Sequence, residues 1–365
     1  MKQLDRYIIA GFLQGYIMAA AVLVGLRIVI DLFVNLDEFS RKADLGGLVV
    51  ARQILGFYAL NSTVYFRDFA GMILVVAAAF CVARMVRSNE LTALMASGIS
   101  IRRVMVPVLL VGVLLTGLLV LDQEVVIPGL ADRLARGRDM IPGQEAYTAR
   151  FIPAQDGSLI FSRHFDLADG SFDRPVIICR RPSGDGGLWV VTGCIVADKA
   201  TYNQQRRSWE LVNGRFISRD PNQPIQPIDR CDSMGLLPWH VPILAKSDLK
   251  PLLSWGQLNT LVGLRPRDMT LLVSQKHFRV TEPIIDLIML LIGLSVLMCR
   301  DPRYVKTAVL RCLALTGLCH ILTFLAKVLS VEPWLFGRPI PQLWAWLPVI
   351  VFLPVGLVAL DSVQT

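Results

Sequence analysis

The sequence predicts a membrane protein of six transmembrane α-helices with an all-β, jelly-roll-like domain inserted between helices 3 and 4. Three observations predict it. Of 365 residues, 54% are hydrophobic and only 18% charged, and a mean hydropathy of +0.53 is too apolar for a soluble globular chain. Six apolar runs approach or exceed the ~20 residues that cross a ~30 Å hydrocarbon layer. Between the third and fourth runs lies a long polar interlude of short β-favouring segments.

The first apolar run extends from about Tyr7 to Val34. It carries no small-residue cleavage site and is expected to be a retained helix. Gly11 and Gly15 form a G-x-x-x-G pair, a weak signal for close helix packing. After a loop bearing Asp37, Glu38, Arg41, Lys42 and Asp44, the second run is expected at about Phe66 to Val86 and the third at about Val104 to Leu121. The last three are expected at about Pro283 to Met298, Thr307 to Val328 and Leu343 to Leu360. The corresponding domains are residues 1–122, 123–277 and 278–365.

Within the interlude, YTARFIP, SLIFSRHF, PVIICR, LWVVTGCIVA and WELVNGRFI read as strands between Gly, Pro and Asp turns. Alternation places Ile160, Val176, Ile178, Val190 and Phe216 on an inner apolar face. Asp122 to Arg138 is expected to be helical after Pro128, and Asn259 to Arg279 to be a helical return. Cys179, Cys194 and Cys231 are an odd set in this region, so no complete disulfide framework can be built from them.

The polar break from Arg84 to Arg103, RMVRSNELTALMASGISIRR, is the centre of the arrangement. Leu91, Leu94, Met95 and Gly98 fall at i, i+3, i+4 and i+7 and share one helix face, over about residues 88–98. Asn89 suits an N-cap, Glu90 the positive end of the helix dipole, Gly98 the helix end, and Ser100 the next cap. Such a stripe needs a cover. An interfacial turn is one reading; a coupling helix gripped by a soluble motor, with Leu91, Leu94 and Met95 in a groove of that motor, is the other.

Charge sets orientation. Lys2, Arg6, Arg84, Arg87, Arg102, Arg103, Arg300, Arg303 and Lys306 fall on one side, which the positive-inside rule assigns to the cytoplasm, together with both termini. Trp334, Trp344 and Trp346 mark the opposite interface. The net charge of +8 comes from arginines at the ends of apolar runs, a membrane pattern that argues against nucleic acid. His164, His240, His277 and His320 are scattered, so no metal or other cofactor is implied. No G-x-x-x-x-G-K-[ST] loop is present, so this chain does not supply ATP chemistry, and with no Ser/His/Asp or Cys/His constellation to read, an enzyme acting on lipid is the weaker third reading.

Charges inside spans cost about 2.5–3.5 kcal/mol at a helix centre and need a reason. Arg27 and Asp31 lie one turn apart late in the first span: either Arg27 meets lipid phosphates, or the two pair and snorkel outward. Arg67, Asp68, Asp122 and Glu124 read as interfacial anchors, with Arg67 also a candidate for substrate. Arg311, His320 and Lys327 either line a cavity or pair with Glu332.

LDRY, NELTALMASGIS, VIPGLADRLARGR, ADKATYNQQRRSWELVNGRFI, RVTEPIIDLIMLLIGLSVLM and PQLWAWLPVIVFLP occur here in an order that resembles one family. The chain is similar to permease subunits of the lipopolysaccharide-export ABC transporter, the LptF/LptG (YjgP/YjgQ) type. That resemblance implies a bacterial inner-membrane location and a periplasmic jelly roll between helices 3 and 4. The implied partners are a cytoplasmic ABC ATPase dimer, a second permease subunit (a paralogue or a second copy), periplasmic bridge proteins and lipopolysaccharide itself. It also implies ATPase coupling through Glu90, Leu91, Leu94, Met95 and Gly98, and a basic residue meeting lipid phosphates near the end of the first helix, where Arg27 and Asp31 stand; Arg67 and Arg311 are further substrate candidates read from the residues themselves. A membrane-anchored binding or scaffold protein is the alternative; a passive anchor needs no amphipathic helix at Arg84–Arg103.

Overall fold

The computed structural model describes residues 3–35, 47–130, 147–154, 156–166, 169–183, 188–231, 235–245, 252–263, 269–298, 302–331 and 340–362. They fall into two compact units divided near Arg138 and Thr270.

The first unit holds α1 (Gln3–Val34), α2 (Gly47–Arg87), the short α3 (Glu90–Ala96) and α4 (Ile101–Leu121), which runs on through a π segment, Asp122–Val126. Among the described residues six helices are long and apolar enough to cross a membrane. Two of them start well before the expected positions. α2 begins at Gly47, not Phe66, because the polar side chains that depress its hydropathy satisfy themselves: Asn61 Nδ2 donates to Phe57 O, Ser62 to Ala59 O and Thr63 to Leu60 O. The helix later called α7 begins at Met269, with Pro283 inside it rather than at its start.

The G-x-x-x-G pair marks a real close approach. Gly11 and Gly15 are both buried on α1. A Cβ at Gly15 would stand 2.9 Å from the Ala77 carbonyl oxygen of α2, and one at Gly11 would stand 2.7 Å from Arg84 Nη2. The core around this contact joins Ile8, Phe12, Leu74, Cys81, Met85, Met105, Met289 and Leu290, all at most 2% exposed.

The second unit is a ten-stranded antiparallel sheet between Tyr147 and Cys231, in the order β10-β7-β6-β3-β2-β4-β5-β8-β9 with β1 on β2. Among the described residues its strands are β1 (Tyr147–Pro153), β2 (Leu159–Asp166), β3 (Ser171–Asp173), β4 (Val176–Ser183), β5 (Leu188–Val196), β6 (Lys199–Asn203), β7 (Ser208–Val212), β8 (Arg215–Ser218), β9 (Gln226–Pro227) and β10 (Arg230–Cys231). Phe165, Phe172 and Trp209 stack at 4.7 and 4.9 Å, and Trp209 Nε1 donates to Leu236 O at 2.9 Å. The expected inner face mixes two faces. Ile160, Ile177, Ile195 and Phe216 pair across β2, β4, β5 and β8 in one row, whereas Val176 and Ile178 point to the other side. Val190 is 40% exposed. Cys179, Cys194 and Cys231 carry free thiols.

Two short helices follow: α5 (His240–Ala245) and α6 (Trp255–Gly263). Ser254 caps α6 reciprocally, its Oγ accepting Gln257 N–H at 3.2 Å while Gln257 Oε1 accepts Ser254 N–H at 3.0 Å. The first unit resumes with α7 (Met269–Leu297), α8 (Val305–Leu329) and α9 (Pro341–Ser362). The expected helical continuation after Leu130, the loop from Asp37 to Asp44, and Lys2, Arg300, Glu332 and Trp334 lie outside the described residues.

Candidate functional site

Two groups of polar and charged side chains join helices within the helical unit. The first surrounds α3. Its start is not capped as expected: Asn89 takes a left-handed conformation, φ 58°, and its side chain makes no cap hydrogen bond. The chain turns there because Asn tolerates that region and Asn89 N–H can donate to Val86 O at 3.1 Å. At the other end Gly98, φ +82°, closes the helix, with Gly98 N–H on Met95 O and Ile99 N–H on Leu94 O. Ser100 Oγ then accepts Arg103 N–H at the start of α4.

The stripe of α3 faces inward, contrary to the expectation of a motor-facing groove filler. Leu91 is 2% exposed within the bundle core, and Leu94 and Met95 pack against that core. An amphipathic helix tucked between two long helices covers its apolar face with its own neighbours. What it leaves outside is small: Thr92, Ala93, Ala96 and Ser97 are exposed.

Helix α1 is tied to this segment twice. Tyr7 OH donates to Glu90 Oε2 at 2.8 Å, with the Arg84 guanidinium 5.6 Å from the Tyr7 ring centroid. Arg103 Nη2 donates to both oxygens of Asp5, at 2.9 and 3.0 Å. Asp5 is 13% exposed at the side chain and Arg103 39%, so only the carboxylate side of this pair is shielded from solvent.

The second group lies toward the opposite end of the helices. In the π segment Ile127 N–H donates to Asp122 O, five residues back, which releases the Gln123 carbonyl from the α-helical pattern. Arg279 of α7 takes it: its Nη1 donates to Gln123 O at 3.0 Å and to Glu124 Oε1 at 3.3 Å. One turn along, Glu282 Oε1 accepts Lys327 Nζ of α8 at 2.6 Å. Lys327 thus pairs with α7, where the sequence offered Glu332. Glu124 is likewise paired within the helical unit, with Arg279.

Of the sequence-predicted substrate residues, Arg67 is 11% exposed at the side chain and bonds Asp68 Oδ1 at 2.8 Å. Arg27 and Asp31 find different partners: the Arg27 guanidinium sits 5.3 Å from the Tyr65 ring centroid of α2, and Asp31 accepts Tyr58 OH of α2 at 2.9 Å and, at the end of its own helix, Asn35 Nδ2 at 3.3 Å. Arg311 is exposed on α8, apart from these. Arg279, Glu282 and Asp286 were not singled out in the sequence, although their i, i+3, i+7 spacing across the start of an apolar run was the available signal.

Comparison with known proteins agrees with this architecture. No curated protein matches the chain. The family model described as "Lipopolysaccharide export system permease LptF/LptG" matches residues 6–361. Covering nearly the whole chain, from the foot of α1 through the inserted sheet to the end of α9, that match makes the protein a member of the LptF/LptG family of lipopolysaccharide export permeases.

Proposed function

We propose that this chain is one of the two membrane subunits of an ATP-driven lipopolysaccharide exporter. It engages a cytoplasmic ABC ATPase dimer through α3 and pairs with a second permease, a paralogue or another copy. In this reading the bacterial inner membrane holds the six helices, the arginine-rich ends of α2, α4 and α8 face the cytoplasm, and the sheet domain lies in the periplasm. Lipopolysaccharide leaves the inner membrane through the helical unit and passes by way of the sheet domain to periplasmic bridge proteins. The chain carries no catalytic role; a separate subunit hydrolyses ATP.

The observation that carries this reading is the seating of α3. Its apolar stripe of Leu91, Leu94 and Met95 fixes it to the bundle, Gly98 sets its end, and Asp5–Arg103 and Tyr7–Glu90 lock α1 to it. A push on the exposed face of α3 therefore moves α1, α2 and α4 as one packed body. Arg27 and Asp31 lie late in α1, against Tyr65 and Tyr58 of α2, and Arg67 lies midway along α2. In this reading they meet the phosphates of a lipid head group, with Arg311 as a separate contact on α8.

The test is reconstitution with the ATPase and second permease in proteoliposomes loaded with lipopolysaccharide. ATP-dependent delivery to an added periplasmic acceptor is expected. Full ATPase coupling without any lipopolysaccharide release would contradict the transport role.

A further inference from the structure

The sheet domain carries three thiols, and its register sorts them. Cys194 of β5 pairs with Ile178 and Ile217 on the half-buried face. Cys179 of β4, one residue beyond Ile178, pairs with Gly193 and so lies on the opposite face, with Ile160, Ile177 and Ile195. Cys231 of β10 pairs with Trp209, whose ring stacks on Phe172, and it is 6% exposed. Strand β2 serves both groups: Leu159 to Phe161 pair with β4, and His164 to Asp166 with β3. The sheet therefore turns over along β2, and its two buried rows cover each other, with Cys179 on one layer and Cys231 on the other.

Within that interior the two thiols act on each other. Burial pushes the Cys179 thiol up from its usual value, and of the groups around it that add to the rise Cys231 adds most and Cys194 least. Cys179 Sγ is held loosely, 4.0 Å from the Ile177 carbonyl oxygen of its own strand. Strand β10, at the edge of its layer, is two residues long. A covalent tie at Cys231 would fix that edge, as the bridge between facing layers does in immunoglobulin sandwiches.

We propose that Cys179 and Cys231 form an oxidation site, a disulfide between them joining β4 to the edge strand β10 across the core of the sheet domain, while Cys194 stays a thiol. The oxidant is a disulfide, on a thiol oxidoreductase or on glutathione. Cys179, the more exposed of the two, loses its proton and its sulfur attacks one sulfur of that disulfide, expelling the other as a thiolate. The Cys231 sulfur, also deprotonated, then attacks Cys179 and expels the oxidant's second thiolate. Two protein thiols become one disulfide, and the oxidant takes up both protons as two thiols. Only the meeting with an oxidant in the cell rests on the periplasmic placement proposed above.

The experiment treats the purified permease in detergent with glutathione disulfide, unfolds it in excess N-ethylmaleimide, and reads its tryptic peptides by mass spectrometry without reduction. Cleavage after Arg180, Lys199 and Arg230 puts the three cysteines on separate peptides. The expected result is a joined Cys179–Cys231 peptide pair, loss of alkylation at both, and full alkylation at Cys194. The pair should form faster as pH rises, because the attacking Cys179 thiolate becomes more abundant. Cys194→Ala should leave the joined pair unchanged, and Cys231→Ala should abolish it. Should Cys231→Ala fail to fold, the parent and Cys194→Ala still decide. Full alkylation of Cys179 and Cys231 after oxidation, or Cys194 joined to either of them, overturns the proposal. The same mapping on acid-quenched cells reads location separately: a pair that forms in the purified protein but is absent from cells counts against the periplasmic placement, not against the pairing.

Discussion

The Tyr7 hydroxyl and the Glu90 carboxylate meet at 2.8 Å, although 83 positions separate them in the chain. The bond joins the foot of α1 to the first turn of α3, and it occupies the one acidic side chain that α3 offers to a basic partner. It is exposed, so it contributes little to folding, but it competes with any cation arriving from outside. Tyr7→Phe is therefore expected to leave permease stability unchanged and to retain at least as much ATPase in pull-down as the parent. Glu90→Lys should lose the ATPase through like-charge contact. Weaker ATPase recovery from Tyr7→Phe would mean that Tyr7 positions Glu90 for the motor instead of restraining it.

Leu91 separates the inward stripe from the outward face. At 2% exposure it is part of the bundle, so Leu91→Ala should destabilise the permease itself by roughly 2–5 kcal/mol. Thr92→Arg and Ala96→Arg, on the exposed face, should leave thermal stability in detergent alone and still release the ATPase. A motor gripping the apolar stripe would give the reverse pattern, with Leu91→Ala stable but uncoupled.

Arg279 and Glu124 form a shielded pair, at 8% and 31% side-chain exposure. Removing one member leaves the other charge without its partner, at a cost of roughly 3–5 kcal/mol. Arg279→Met should accordingly lower the thermal midpoint sharply, and adding Glu124→Gln should recover part of the loss. A double variant no better than the sum of the two single ones would show that Arg279 acts through the Gln123 carbonyl alone.

Much of this was legible in the chain because apolarity and length suffice to find spans. Positions of helix starts were not, where polar residues hide inside helices: Asn61, Ser62 and Thr63 bond their own backbone, so α2 continues through a stretch that hydropathy reads as loop. The same error hid the ion pairs. Taking Pro283 as the start of a span put Glu282 outside the membrane, whereas α7 begins a long way upstream and carries Arg279, Glu282 and Asp286 within it. The stripe on α3 was legible as a pattern but its cover was not. A helix's period shows that a face must be buried, and only the bundle core that Leu91 joins shows by what.

The sheet offers the sharpest test of a one-residue distinction. Ile177 is 1% exposed and pairs with Ile160 on one side and Ile195 on the other, inside a closed apolar row. Ile178, its immediate neighbour, pairs with Leu159 and Cys194 on the opposite, half-buried face. Because side chains alternate along a strand, the two positions ask different questions of the same substitution. Ile177→Asp buries a charge with no partner in sight, and the domain should fail to fold, read as loss of protease resistance between Tyr147 and Cys231. Ile178→Asp should keep that resistance. If lipopolysaccharide travels along the half-buried face, Ile178→Asp should nonetheless block delivery to the periplasmic acceptor while ATP hydrolysis continues. Normal delivery by a folded Ile178→Asp protein would move the lipid path to another surface of the sheet.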